Sequence, residues 1–303
     1  MTRIVFVSCA NVEKRPDQPA WDAIAVDPPD LLILLGDNTY MNWAGKDWDL
    51  ERLRQNYEAQ FKIVVFKDLT DTVPTLAIWD DHDLGPDDSC GTELQPQQLA
   101  DSRALFNHYL AKARNNNPPH MYCTYDIGEV RVIMLDVRTY RTLSTDSAPT
   151  VLGRDQEDWL WKELADNPKP YTIVASGSVM DRGVKQHKLS DYKAFYKRLK
   201  SELRHRPSDP KKPHAPKPRK VLFLSGDIHD NRWKAWPGFF EATSSGVACV
   251  ANVGPKGNIV EVPIDNWGLL TFGPEELTVD LRGHAPSRVE THKVRLRDWT
   301  EIS

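Results

Sequence analysis

At 303 residues, with 40% hydrophobic and 27% charged side chains, the chain can bury a large core and is not a disordered protein. A formal net charge of −4 argues against a dedicated nucleic-acid binder, and no apolar run reaches the length of a membrane span. Cys9, Cys90, Cys123 and Cys249 lack CxxC spacing, so no disulfide framework is expected. The start MTRIVFVSC carries no leader signature, and the expected location is the cytoplasm unless an export signal was trimmed.

Residues 4–7 read as a short buried strand ending in Ser8-Cys9-Ala10, and residues 21–26 as a helical turn or two before Pro28-Pro29. The stretch at 31–40, LLILLGDNTY, organises the chain. Five apolar residues stopped by Gly36 are too short a run for a helix and suit a buried parallel strand. The residues after Gly36 then lie at the strand's carboxyl end, where open α/β sheets keep their chemistry. Leu50, Leu53, Tyr57 and Phe61 recur at helical spacing within 47–62. Residues 74–79 (PTLAIW) form a strand that empties into DDHDLGPDDS. A helix over 99–112, closed by residues 115–119, precedes a hairpin of 121–127 and 130–135 around Gly128-Glu129, running into DVRTYR.

A helix over 153–165 leads to a strand at 171–175, and a basic amphipathic helix covers 189–203. Residues 204–220, rich in proline and lysine, read as a solvated connector. The strand at 221–224 delivers Ser225-Gly226-Asp227-Ile228-His229. Short strands at 239–242, 246–250, 269–272, 277–281 and 289–294 suggest a mainly antiparallel second sheet. No repeat or linker interrupts the chain, so one domain over 1–303 is expected.

Five strand ends share one pattern, an apolar run followed by residues that ligate metals or phosphate. They are Cys9; Asp37 and Tyr40; Asp80, Asp81, His82 and Asp83; Asp136 and Arg138; Asp227 and His229. A DxH at a single strand end is ordinary loop hydrogen bonding. All five at equivalent positions are how a parallel sheet builds one site, and so many acids together call for cations. The thiolate of Cys9, the phenolate of Tyr40 and the imidazole of His229 suit a transition metal, iron or zinc. Asp37, Asp81 and Asp227 suit a hard cation such as calcium, magnesium or manganese, with Asp37 able to bridge both ions. His82 is a candidate general acid with Asp83 orienting its ring, and Arg138 a candidate phosphate clamp. Trp79, Tyr140 and Trp233 adjoin these motifs and are expected to pack against either a substrate or the core.

GDNTY, WDDHD, LDVRTYR, LGRDQEDWL and SGDIHD, in this order, resemble the PhoD-like branch of the metallophosphoesterases, alkaline phosphatase D. The resemblance runs from Ser8-Cys9 to about Cys249. It implies a four-layer α/β/β/α sandwich of the calcineurin-like type and a bimetallic phosphoesterase site. Ferric iron would be held by Cys9, Asp37, Tyr40 and His229, and calcium by Asp37, Asp81 and Asp227. The chain departs from the family in having Asp83 where WDDHE is usual, followed by Gly85-Pro86-Asp87-Asp88. It also has Ser176-Gly177-Ser178 where many relatives carry a histidine, which leaves water or Ser178 to complete the second metal's shell. The extra N-terminal domain of many secreted relatives is absent from the sequence.

The expected function is hydrolysis of phosphodiesters, and of monoesters with them, by in-line attack of water activated by two metal ions. The substrate would be a small nucleotide or phospholipid-derived ester, with no stable nucleic-acid partner. The alternatives are another dinuclear metallohydrolase and a silent phosphate-binding member of the fold.

Overall fold

The computed structural model describes residues 1–43, 45, 47–110, 120–181, 188–204, 219–253, 260–283 and 288–302. Expectations for 111–119 and for the greater part of the basic connector, 205–218, lie outside the described residues. The first elements are β1 (Thr2–Val7), α1 (Ala20–Ala25), β2 (Leu31–Leu34), α2 (Leu50–Gln60), α3 (Val64–Thr72), β3 (Thr75–Ala77), α4 (Asp81–Leu84) and α5 (Pro96–Leu110). Next come β4 (Cys123–Ile127), β5 (Val130–Leu135), α6 (Gly153–Asp166), β6 (Tyr171–Ser176), α7 (Lys193–Leu203) and β7 (Lys220–Ser225). The chain closes with β8 (Asn231–Trp236), β9 (Phe239–Ser244), β10 (Cys249–Val253), β11 (Val260–Ile264), β12 (Trp267–Phe272), β13 (Glu276–Gly283), β14 (Arg288–Arg295) and β15 (Thr300–Ile302).

Alternation along the strands decides the layers. In β5, Val130, Val132 and Met134 enter the core between the two sheets, whereas Ile133 and Leu135 pack with Leu160, Trp161, Phe195 and Leu199 of α6 and α7. β7 repeats this, Leu222 and Leu224 facing in and Val221 and Phe223 facing the helices. On the other sheet, α1, α2, α3 and α5 bring Trp21, Leu53, Tyr57, Phe66, Leu69 and Phe106 against strands buried along their length. The result is the expected four-layer α/β/β/α sandwich, with strand orders β15-β14-β13-β12-β1-β2-β3 and β4-β5-β6-β7-β9-β8. A ribbon of β10 and β11 stands apart. Among the described residues no helix is long and apolar enough to cross a membrane.

The C-terminal strands correct one expectation. They do not make a second sheet of their own. β1 pairs β2 on one side and leaves its other edge open, and β12 closes that edge antiparallel, so β12 to β15 extend the first sheet. β9 instead joins the six-stranded sheet, parallel to β7. Five elements, α3, α4, β8, β11 and β15, are not anticipated from the sequence.

β1, β2 and β3 run parallel, as do β5, β6 and β7, so both sheets send their carboxyl ends to one region of the molecule. The ends are sewn together by backbone bonds, Cys9 N–H to Gly36 O at 3.2 Å, Ala10 N–H to Asp37 O at 2.9 Å and Gly226 N–H to Gly177 O at 2.9 Å. Gly36 has φ +107°, and a Cβ there would lie 2.5 Å from the Cβ of Asp80. Both strain and overlap therefore oppose any side chain at this position. Gly36→Ala should lower stability by at least about 2 kcal/mol in urea unfolding, and a loss within about 0.5 kcal/mol would contradict the close approach.

Candidate metal centre

Cys9, Asp37, Asp227 and His229 all have positive φ, at 63°, 50°, 70° and 51°. Non-glycine residues seldom adopt this conformation, and four at neighbouring strand ends mark a backbone bent to aim side chains inward. The aim is mutual. Asp37 Oδ2 lies 3.3 Å from Cys9 Sγ and 3.5 Å from the Tyr40 hydroxyl, which is itself 3.1 Å from His229 Nε2. Trp43 stacks on the His229 ring at 5.5 Å, and Ser245 ties the group together. The Ser245 hydroxyl donates to Cys9 Sγ at 3.2 Å and accepts from the His229 N–H at 2.9 Å.

On the other side of Asp37 the carboxylates of Asp37, Asp80, Asp81 and Asp227 bring oxygen atoms within 4.8 Å of one another, all four buried. Burial pushes Asp37 well above the carboxylate range, and the charges of Cys9, Asp81 and Asp80 push it further. Burial likewise raises the Cys9 thiol and holds the Tyr40 hydroxyl well above its ordinary value. Asp80 rises to about 7 through burial, Arg138 opposing and Asp81 and Asp227 reinforcing the shift. Buried acids held in this state fit a cation pair, with soft and aromatic donors on one flank and carboxylates on the other. The six expected ligands, Cys9, Asp37, Tyr40, Asp81, Asp227 and His229, are thus gathered in one pocket, together with Asp80.

Arg138 was expected to reach for phosphate and does not. Its guanidinium is 1% exposed, pairs with Asp80 through two nitrogens, and lies 3.1 Å from Asp81 Oδ1. Burial alone would lower its pKa, but Asp80 and Asp81 hold it well above the ordinary value. It is a buried lock between two acids. Asp83 also departs from expectation. It accepts from the N–H groups of Asn38 and Asp80, from the Asn38 amide and from the Tyr57 hydroxyl, and so staples the β3 loop to β2 and α2. The His82 ring packs on Tyr40 at 4.1 Å instead, and its Nε2 faces Asp87 Oδ1 at 3.6 Å.

Other adjoining residues divide by burial. Trp79 donates to Asp136 within the core, and Trp233 is stacked between Phe240 and His292 with its N–H on Glu301, away from the cluster. Tyr140 is 39% exposed at the end of the β5 loop. Ser178 accepts from Arg141 at 2.8 Å, and a Cβ on Gly177 would lie 2.7 Å from Asp80 Cγ. The Asp80 carboxylate therefore fills the space beside Gly177. Ser245, Trp43 and Cys249 were missed from the sequence, where no motif distinguishes them. Cys249 Sγ is 3.5 Å from His229 Nε2 and 3.8 Å from the Tyr40 hydroxyl.

Residues 4–251 match the PhoD-like phosphatase family. No curated protein sequence gives a significant match. Among solved structures, that of PhoD resembles this one over 100% of the chain and 71% of its own, with TM-score 0.72 and 16% identity. Purple acid phosphatase PPD1 from yellow lupin (Lupinus luteus) seeds gives TM-score 0.59 at 13% identity over 97% of this chain and 53% of its own length. GAP50, the anchor in the inner membrane complex of Plasmodium, gives 0.55 at 12% identity over 97% and 89%. At these identities the likeness is one of fold.

Two outcomes test this geometry. Arg138→Met should cost about 3–5 kcal/mol of unfolding free energy, because it leaves buried acids without their counter-charge. Unchanged stability with a raised KM would restore the clamp. Asp80 at about 7 and Asp83 at about 6 lie above the ordinary 3.8. Without cations, the folded chain therefore keeps these protons to higher pH than the unfolded chain. Their stabilisation is full below about pH 4 and is lost as pH rises through about 6 to 7. Cations compete with the proton on Asp80, which belongs to the four-acid cluster. The rise in melting temperature on adding a divalent cation to chelator-treated protein should therefore grow from about pH 5 to about pH 8, and a pH-independent rise would refute the assignment.

Proposed function

This chain belongs to the PhoD-like phosphatase family and is on that ground a phosphoric ester hydrolase, and we propose that it cleaves phosphodiesters, and monoesters with them, by in-line attack of water. Bound cations would supply the Lewis acidity, lowering the pKa of that water and offsetting the charge that gathers on the phosphorus oxygens. The observation that carries this reading is the position of Asp37. One of its oxygens touches the thiol and phenol donors, and the same carboxylate belongs to the four-acid cluster. In our assignment Cys9, Asp37, Tyr40 and His229 hold ferric iron, with zinc the alternative. Asp37, Asp81 and Asp227 hold calcium, with manganese or magnesium the alternatives.

The remaining work falls to the chain's own groups. The His82 backbone N–H donates to Asp37 Oδ1 at 3.3 Å and orients the shared carboxylate. The His82 ring, held against Tyr40, is the proton donor to the leaving oxygen. Its Nε2 carries the proton opposite Asp87, a partly exposed acid, until the leaving oxygen takes it. Tyr140 and the half-buried Trp43 offer aromatic faces for the organic arm of a nucleotide or phospholipid-derived ester.

Asp37→Asn should abolish turnover. His82→Ala should lower turnover on alkyl diesters by about 10²–10⁴-fold and by much less on aryl esters, whose leaving groups need no proton. Equal losses on both would remove His82 from proton transfer. Aryl phosphate mono- and diesters assayed side by side decide the substrate class, and a diester rate below the monoester rate would reverse our assignment.

A further inference from the structure

We propose that Ser245 is the positioning residue of the soft-metal half of this centre, its hydroxyl donating a standing hydrogen bond to the Cys9 thiolate and so setting how much charge that sulfur gives the ion. The proposal rests on the metal reading above and concerns a group that touches no substrate.

Ser245 and Cys9 are both fully buried, so the sulfur draws its hydrogen bonds from the protein and not from bulk water. The Ser245 oxygen lies 2.9 Å from the His229 backbone nitrogen and 3.2 Å from Cys9 Sγ. A serine hydroxyl has one proton to give. With the oxygen accepting from the His229 N–H, that proton is directed to the sulfur. The Cys9 thiol in turn donates to Asp37 Oδ2 at 3.3 Å. Its own proton thus marks the direction of the shared carboxylate, where a cation takes the proton's place. The Ser245 proton meets a separate lone pair and stays when the ion binds. Two other hydroxyls act on this sulfur, those of Ser8 and Tyr40. Ser8 donates to Ser244 O at 3.4 Å, and Tyr40 is a metal donor in our assignment, which leaves Ser245 to hold the sulfur.

The backbone fixes Ser245 independently of the ion. The segment after β9 runs alongside the segment after β1. Gly246 N–H and Val247 N–H donate to Ser8 O at 3.0 and 2.9 Å, and Ala248 N–H to Cys9 O at 3.3 Å. A parallel bridge between Ala10 and Ala248 completes the register. From the other side the Asn266 amide donates to Ser245 O at 2.9 Å. Cys9 follows β1 of the seven-stranded sheet and His229 follows β7 of the six-stranded one. One hydroxyl on a pinned segment therefore sets the relation between two donors that come from different sheets.

The chemical consequence is Lewis acidity. A thiolate that accepts a hydrogen bond gives less charge to its metal, and donors around such a sulfur tune the ion it binds. Removing the Ser245 proton leaves every ligand in place and strengthens the metal–sulfur bond.

Resonance Raman spectra of full-length protein loaded with ferric iron in H2O or in D2O test this. We expect the iron–sulfur stretching band to shift in D2O for the wild type, for Ser245→Thr and for Ser8→Ala. In Ser245→Ala the band should lie at higher frequency and lose its D2O shift, with the Tyr40 phenolate bands unmoved as the internal control. A residue that only braced the loop would move phenolate and sulfur bands together, and that result overturns the proposal. An iron–sulfur band identical in H2O and D2O in the wild type also overturns it, without need of any variant, and leaves the metal reading standing. Iron-loaded wild type with no iron–sulfur band, or failure to take up iron, overturns both.

Discussion

Arg138 lies between Asp80 and Asp81 in a pocket that also holds the carboxylates of Asp37 and Asp227, and the charge balance of that pocket constrains everything around it. Four buried acids crowded this closely cannot all ionise in a low-dielectric interior without opposite charge nearby. The guanidinium meets part of the demand and cannot be removed without leaving two acids exposed to each other. The rest is met by protons or by cations. That choice explains why Asp37 and Asp80 are held so far above ordinary carboxylates. The pocket is an anionic socket, in which protons and cations would offset the same charge.

Backbone geometry shows the same priority. Cys9, Asp37, Asp227 and His229 each sit in the left-handed region, where a residue bearing a side chain costs of order 1–3 kcal/mol. Such strain persists because the surroundings over-determine it. The β1, β2 and β7 strands from which all four hang are buried along most of their length, and the inter-sheet core anchors them. Strands supply the rigidity and the residues just beyond them absorb the strain. Gly36 and Gly177 leave the space that lets Asp80 into the same pocket.

Much of this was legible in the sequence, for physical reasons. Unbroken apolar runs ending in acids or histidine identify buried strands and their functional ends, so Cys9, Asp37, Tyr40, Asp81, Asp227 and His229 could be singled out residue by residue. What failed was side-chain direction. Asp83 adjoins His82 in sequence, but in the helical turn Asp81–Leu84 successive side chains diverge, so Asp83 turns to Asn38 and Tyr57 while His82 faces Asp87. Arg138 follows Val137 and precedes a threonine, and nothing local reveals that Asp80, 58 positions earlier, is its partner. Cys249 could not be found at all, because its place depends on a backbone pairing between segments that share no motif. The C-terminal strands alternate visibly in ELTVDLRG, yet which sheet they join is decided by the open edge of β1.

The commitment of Arg138 has a consequence for substrate recognition. A free guanidinium would bind phosphate whether or not the site held metal, because its charge is permanent. Locked against Asp80 and Asp81, it offers the incoming group little. A phosphoryl group arriving at this edge carries the same sign of charge as Asp37, Asp81 and Asp227, so without cations it is repelled by the residues that make the site. Affinity for substrate and affinity for cations are then linked quantities, each raising the other by the same factor at equilibrium. Within the PhoD-like phosphatase fold seen here, the protein contributes a rigid, under-neutralised cavity. The sharing of Asp37 between two kinds of donor lets one carboxylate set the spacing on both sides of it.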